Sequence, residues 1–157
     1  MSQPLTDQIK SAYVHVPFCR HRCGYCNFTV LAGRDDLIED YLRALEIELS
    51  WLGEPKPVET LFFGGGTPTH LDPDPLQRFF ELVTHWFPPE PNAEISIEGN
   101  PEDIDESKVV SIAKHVTRVS LGVQSFRDEK LRTLERCLLY TSPSPRDATL
   151  SRMPSSA

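Results

Sequence analysis

The chain alternates between two hydrophobic periods. Residues 13–18, YVHVPF, make a short extended run that ends at the first cysteine. In residues 35–52, DDLIEDYLRALEIELSWL, apolar side chains fall at Ile38, Leu42, Leu45, Leu49 and Leu52, the spacing of a helix with one buried face. Asp35 or Asp36 is placed to cap this helix and Gly53 to stop it. Residues 58–63, VETLFF, read as a buried strand that runs into Gly64-Gly65-Gly66. Asp74-Pro75 opens a second helix with Leu76, Phe79, Phe80 and Val83 on one face, and Pro88-Pro89 closes it. EISI at 94–97 is a third strand, and a third helix starts at Asp105 and runs to about His115. RVSLGV at 118–123 is a fourth strand, and 127–136 a fourth helix.

Four consecutive βα units predict an α/β fold with a parallel sheet, because each parallel crossover needs a connection long enough for a helix. An open doubly wound sheet and a barrel or part-barrel both satisfy the pattern, and periodicity does not choose between them. The period is lost at Cys137. The remaining stretch, CLLYTSPSPRDATLSRMPSSA, holds five serines and three prolines. It reads as a disordered tail, and its opening resembles translated sequencing-adapter read-through, so residues 137–157 are expected to be non-native. The expected division is an N-terminal segment 1–12, a core 13–136 and this tail.

Composition narrows the class. With 157 residues, 39% hydrophobic and 9% aromatic, the chain suits one globular domain with a core. It has no apolar run long enough to span a membrane, and the N-terminus MSQPLTDQIK has no signal-peptide character. A cytoplasmic protein with reduced thiols is expected. A net charge of −7 without a basic stripe argues against nucleic acid as a partner.

The chemistry lies in CRHRCGYC, residues 19–26. Cys19, Cys23 and Cys26 are spaced C-x3-C-x2-C. Structural zinc sites take four ligands, usually as two close pairs. Ferredoxin clusters also take four cysteines. Here three are crowded together, and Cys137 is far away. Three thiolates can hold three corners of a 4Fe–4S cluster and leave one iron for an external amine and carboxylate, such as the methionine end of S-adenosylmethionine. Ligands of parallel βα folds bind beyond the carboxyl ends of the strands. The cysteine loop, Gly64-Gly65-Gly66-Thr67-Pro68, Glu98 and Gln124 each follow one of the four strands. Glycines permit close backbone approach, while Glu98 and Gln124 offer hydrogen bonds to an amine or ribose.

The three-cysteine motif, with Tyr25 before the last cysteine, resembles the radical S-adenosylmethionine superfamily. YVHVPFCRHRCGYCNF, LFFGGGTPTHL, ISIEGNPEDI and RVSLGVQSF further resemble the oxygen-independent coproporphyrinogen III oxidase family, in order and spacing over residues 12–136. The resemblance implies part of a (β/α)6 TIM-like barrel, truncated here to four βα units and completed by later units and a C-terminal domain. It implies that Cys19, Cys23 and Cys26 ligate the cluster, and that Tyr13, Gly65 and Glu98 contact S-adenosylmethionine. Tyr25, Gly66, Thr67, Gln124 and Arg136 match positions beside a second S-adenosylmethionine in the oxidases. Tyr25 in place of phenylalanine, Ser125 after Gln124 and the short segment before Tyr13 point to the haem chaperone branch, whose members bind haem and deliver it to haem-accepting proteins. The porphyrinogen oxidase is the alternative, and a zinc or electron-transfer module the third reading. His15 shares a strand face with Tyr13, and His21 lies in the cysteine loop.

Overall fold

The computed structural model describes residues 9–134; Arg136 and the expected tail lie outside them. The chain enters through β1 (Ser11–Val16). Pro17 interrupts it, since proline has no N–H to give a ladder. The expected single strand therefore divides, and β2 (Phe18–Cys19) pairs instead with β3 (Leu31–Ala32). A 3-10 turn at Asp35–Leu37 leads into α1 (Ile38–Ser50). Neither expected aspartate caps α1 through its side chain. Asp36 pairs with Arg34 at 2.8 Å and Asp35 with His70 at 2.9 Å.

Next come β4 (Val58–Gly65), a 3-10 turn at Pro68–His70 and α2 (Pro73–Trp86). The first of the two Asp-Pro pairs starts α2, with Pro73 at the first helical position, so the helix begins earlier than expected. β5 (Pro89–Gly99) is far longer than EISI, because its outer half is polar and exposed and leaves no apolar signature. Its ladder with β4 shifts register between Val58 and Thr60, and Asn92 takes a left-handed φ of 70°. α3 (Glu106–His115), β6 (Arg118–Leu121) and α4 (Asp128–Thr133) complete the described chain. Asp105 caps α3 as expected, accepting from the Lys108 N–H.

The four-stranded sheet has the order β1-β4-β5-β6, parallel throughout. Strands appear in the order of the chain, with no reversal. A doubly wound sheet reverses at a switch point and places helices on both faces. Right-handed crossovers without reversal place the crossover helices on one face, and α1 packs on α2 and α2 on α3. This is a segment of barrel wall, which resolves the choice that periodicity left open.

The core fills the space between sheet and helices. Val14, Val16, Leu61, Phe63, Ile95 and Ile97 point to that side and meet Leu42, Leu45 and Leu49 of α1 and Leu76, Phe79, Phe80 and Val83 of α2. Phe63 sits at its centre, with ring centroids 5.2 Å from Phe79 and 5.3 Å from Phe80. The alternate residues face the would-be barrel interior. Tyr13 pairs with Phe62, Phe62 with Ser96 and Ser96 with Arg118 across the four strands, and one pleat higher His15 pairs with Gly64 and Glu98 with Ser120.

Candidate functional site

The site is built where β1, β4, β5 and β6 end. Beyond Val16 the backbone stays tied to the end of β4: Gly66 N–H donates to the Val16 carbonyl at 2.8 Å and Thr67 N–H to that of Phe18 at 2.8 Å. The β2–β3 ladder closes the cysteine loop at its base, with Leu31 N–H donating to Pro17 at 2.7 Å and Gly33 N–H to Cys19 at 3.1 Å. A turn within the loop joins Cys26 N–H to the Cys23 carbonyl at 2.9 Å. The ladders thus hold Cys19 directly, and the turn relates Cys26 to Cys23.

Cys19, Cys23 and Cys26 are reduced thiols and line one cavity of about 310 Å³. Tyr25, Gly65, Gly66, Thr67, Glu98 and Gln124 share its walls. The structure therefore gathers nine of the residues singled out in the sequence. Tyr13 does not line the cavity; its ring lies on the interior face near the Glu98 carboxylate, over Gly64, stacked on Phe62 at 5.9 Å. Its hydroxyl lies 3.3 Å from His15 Nδ1, and partial burial, helped by the Glu98 carboxylate, raises its pKa above the usual phenol value. His15 Nε2 lies 2.9 Å from the Thr29 carbonyl oxygen, linking β1 to the cysteine loop. His21 lines the cavity. Arg136 is outside the described residues.

The glycine turn has two distinct constraints. Gly65 takes φ +114°, a left-handed conformation open to glycine, and its N–H donates to Glu98 Oε2 at 3.3 Å. A Cβ on Gly66 would lie 2.6 Å from the Phe18 carbonyl oxygen, so its absence lets the turn sit against the strand carrying Cys19. Gln124 also has a left-handed φ, of 62°, on a non-glycine residue. Such backbone is uncommon and gathers at sites where side chains must be aimed.

Several residues that sequence reasoning passed over belong to this mouth. Asn100, from ISIEGNPEDI, extends Nδ2 to Thr67 Oγ1 and to Asp103 Oδ2, at 3.2 Å each. Arg20, between the first two cysteines, donates to Asp103 Oδ1 at 3.2 Å. Thr67 Oγ1 lies 3.4 Å from Cys19 Sγ. Glu102 lines the same cavity with a buried Oε2 that has no hydrogen-bond partner. The one local signal was the density of polar residues in NPED, directly after a buried strand.

The donor set fits an iron–sulfur cluster. Among the described residues no three cysteine, histidine or carboxylate groups converge tightly enough for a single ion. A cubane asks for another arrangement: each thiolate binds a different iron, so three sulfurs spread around the cluster. Thiolates are the ligands such clusters take. The orphaned Glu102 oxygen on the same wall leaves an acceptor that an amine or hydroxyl could fill.

Fold and mouth together define a parallel βα part-barrel with a thiol-lined cavity at the carboxyl ends of its strands. Residues 13–140 match the family model of the radical SAM superfamily. The chain belongs to the radical SAM superfamily, and membership implies a 4Fe–4S cluster and S-adenosylmethionine. The haem chaperone HemW of Bacillus subtilis is 36% identical over 134 residues, covering 82% of this chain and 35% of that protein. The oxygen-independent coproporphyrinogen III oxidase of Bradyrhizobium diazoefficiens is 39% identical over 132 residues, 80% of this chain and 29% of that one. In structure, the coproporphyrinogen III oxidase HemN of Escherichia coli, a radical SAM enzyme, matches with a TM-score of 0.75 and 33% identity, over 85% of this chain and 32% of that one. The chain thus spans about a third of the length of the relatives it matches. No helix among the described residues is long and apolar enough to cross a membrane.

Proposed function

We propose that Cys19, Cys23 and Cys26 hold three irons of a 4Fe–4S cluster, and that the whole protein is a haem chaperone of the HemW kind, binding haem and passing it to acceptor proteins in the cytoplasm. The observation that carries the reading is the placement of the three thiols on one cavity at the carboxyl mouth of a parallel barrel wall. When bound, the cluster and S-adenosylmethionine supply one-electron chemistry that side chains lack. The chain's own residues bind and orient. Gly65 and Gly66 bring backbone to the cavity wall, Glu98 and Glu102 offer carboxylate acceptors to an amine or ribose, and Tyr25 offers an aromatic ring. Tyr13, whose hydroxyl lies beside His15, is with Gly65 and Glu98 a contact proposed for S-adenosylmethionine. Gln124 and Thr67, with Arg136 beyond the described residues, are the contacts proposed for a second S-adenosylmethionine. The described part of the expected core, residues 13–134, carries four βα units, to which the remaining two thirds of the relatives' length would add further βα units and the haem-binding part.

The first test is anaerobic reconstitution. Each of Cys19→Ala, Cys23→Ala and Cys26→Ala is expected to lose the cluster absorption near ~400 nm and most of the iron, since clusters of this type are thiolate-held. Retention of full iron in any of the three would remove the proposed ligand set. The second reading, an oxygen-independent coproporphyrinogen III oxidase, is favoured by the structural match to HemN. Haem titration and coproporphyrinogen turnover, measured on a chain of the relatives' full length, separate the two. Tight haem binding without turnover is expected, and turnover would select the oxidase.

A further inference from the structure

We propose that Asn100 is a positioning residue, which fixes the Thr67 hydroxyl as a hydrogen-bond donor to the Cys19 sulfur and so raises the reduction potential of the cluster. The inference rests on the cluster reading above and extends it to a polar chain that no cysteine spacing reveals.

The argument follows the protons. Thr67 Oγ1 and Cys19 Sγ lie 3.4 Å apart, and either could donate. Asn100 decides between them. Its Nδ2 is 3.2 Å from Asp103 Oδ2 and 3.2 Å from Thr67 Oγ1. A carboxylate accepts, so the amide must turn its NH2 side towards Asp103; a flipped amide would set carbonyl oxygen against carboxylate. One amide proton then goes to Asp103 and the other to Thr67. Having accepted from Asn100, the threonine directs its own proton elsewhere, and Cys19 Sγ is within reach. A cluster-bound cysteine is a thiolate and has no proton to return.

Three features make this chain rigid. Asp103 has a side chain only 2% exposed and is held from its other oxygen by Arg20 of the cysteine loop. Asn100 is fixed through its backbone N–H, which donates to Thr69 Oγ1 at 3.3 Å. Thr67 is 4% exposed, so water competes little for its hydroxyl. Hydrogen bonds to cluster sulfurs are among the factors that set reduction potential. A donor stabilises the reduced, more negative cluster more than the oxidised one.

The test is the midpoint potential of the anaerobically reconstituted full chain, with iron and sulfide per chain measured first. Thr67→Val is expected to weaken reduction about tenfold, a shift of about 59 mV to more negative potential for one electron. Thr67→Ser should restore the parent value. Asn100→Leu should move the potential in the same direction by a smaller amount, and the double variant should match Thr67→Val alone, because both act through one hydrogen bond. A parent potential in fully loaded Thr67→Val overturns the inference, and additive shifts in the double variant overturn the role of Asn100. If Thr67→Val loads no cluster, Asn100→Leu decides, and a parent potential there overturns the proposal. A parent chain that binds no iron overturns the cluster reading itself, an outcome separate from an unchanged potential.

Discussion

Gly66 leaves no room for a side chain. The 2.6 Å approach to the Phe18 carbonyl oxygen is to backbone, which cannot swing aside as a flexible side chain would. Gly66→Ala is therefore expected to push the Cys19 strand away from the glycine turn, costing about 1–3 kcal/mol by overpacking and lowering iron uptake on reconstitution. Chemical denaturation and iron analysis check both. Gly65→Ala meets strain of a different kind: φ +114° and the His15 ring 2.6 Å away. It should disturb the His15 link to Thr29, seen as faster amide exchange in residues 27–30. At this scale the cysteines were legible because their spacing is local. Cys19, Thr67, Asn100, Asp103 and Arg20 were not legible as a set, because all but one of the hydrogen bonds joining them cross 48, 33 and 83 residues of chain. Single polar residues after strands carry no mark of which partner they meet.

The elements were legible wherever one face is buried and the other wet. α1 and α2 declared themselves by apolar residues three and four apart, and β4 by its run of Val58, Leu61 and Phe63. The outer half of β5 was hidden because its exposed, proline-containing residues have no buried face, and the division at Pro17 because a two-residue ladder is too short for a period. Packing at the centre gives a direct prediction. Phe63→Ala should destabilise the fold by about 3–5 kcal/mol, read from denaturant midpoints, since Phe63 is fully buried against two aromatic rings. The start of α3 gives a pH prediction. Hydrogen bonds from Ser107 and from the Lys108 N–H hold the Asp105 carboxyl below its usual pKa. A depressed folded-state pKa means that the cap contributes fully above the unfolded-state value and is lost as pH falls through the folded one. Amide exchange at Lys108 and Val109, corrected for its intrinsic pH dependence, should show lost protection only at acid pH, and Asp105→Ala should remove that pH dependence.

Among the described residues α1, α2 and α3 form one layer against a four-stranded wall. β4 and β5 are flanked by strands on both sides, whereas β1 and β6 each have one neighbour in the sheet. Hydrogen exchange should therefore be slowest in Leu61–Phe63 and Ile95–Ile97 and faster in β6, where Val119 and Leu121 remain 42% and 43% exposed. Equal protection of β6 and β5 would contradict this layout. That the strands follow one another without reversal could not be read from the sequence, because doubly wound sheets and barrels share the same alternation of periods.

The long spans that join the mouth also impose an order in time. Arg20 and Asp103 are 83 residues apart, and at roughly 5–20 residues per second of synthesis the cysteine loop leaves the ribosome some ~4–17 s before its anchor. Glycine turn, threonine and asparagine arrive in between. During that interval the three thiols have no finished wall around them, open to oxidation and to stray metal. On the cluster reading proposed above, the chain gains from late cluster insertion, after β5 and its following turn have been made.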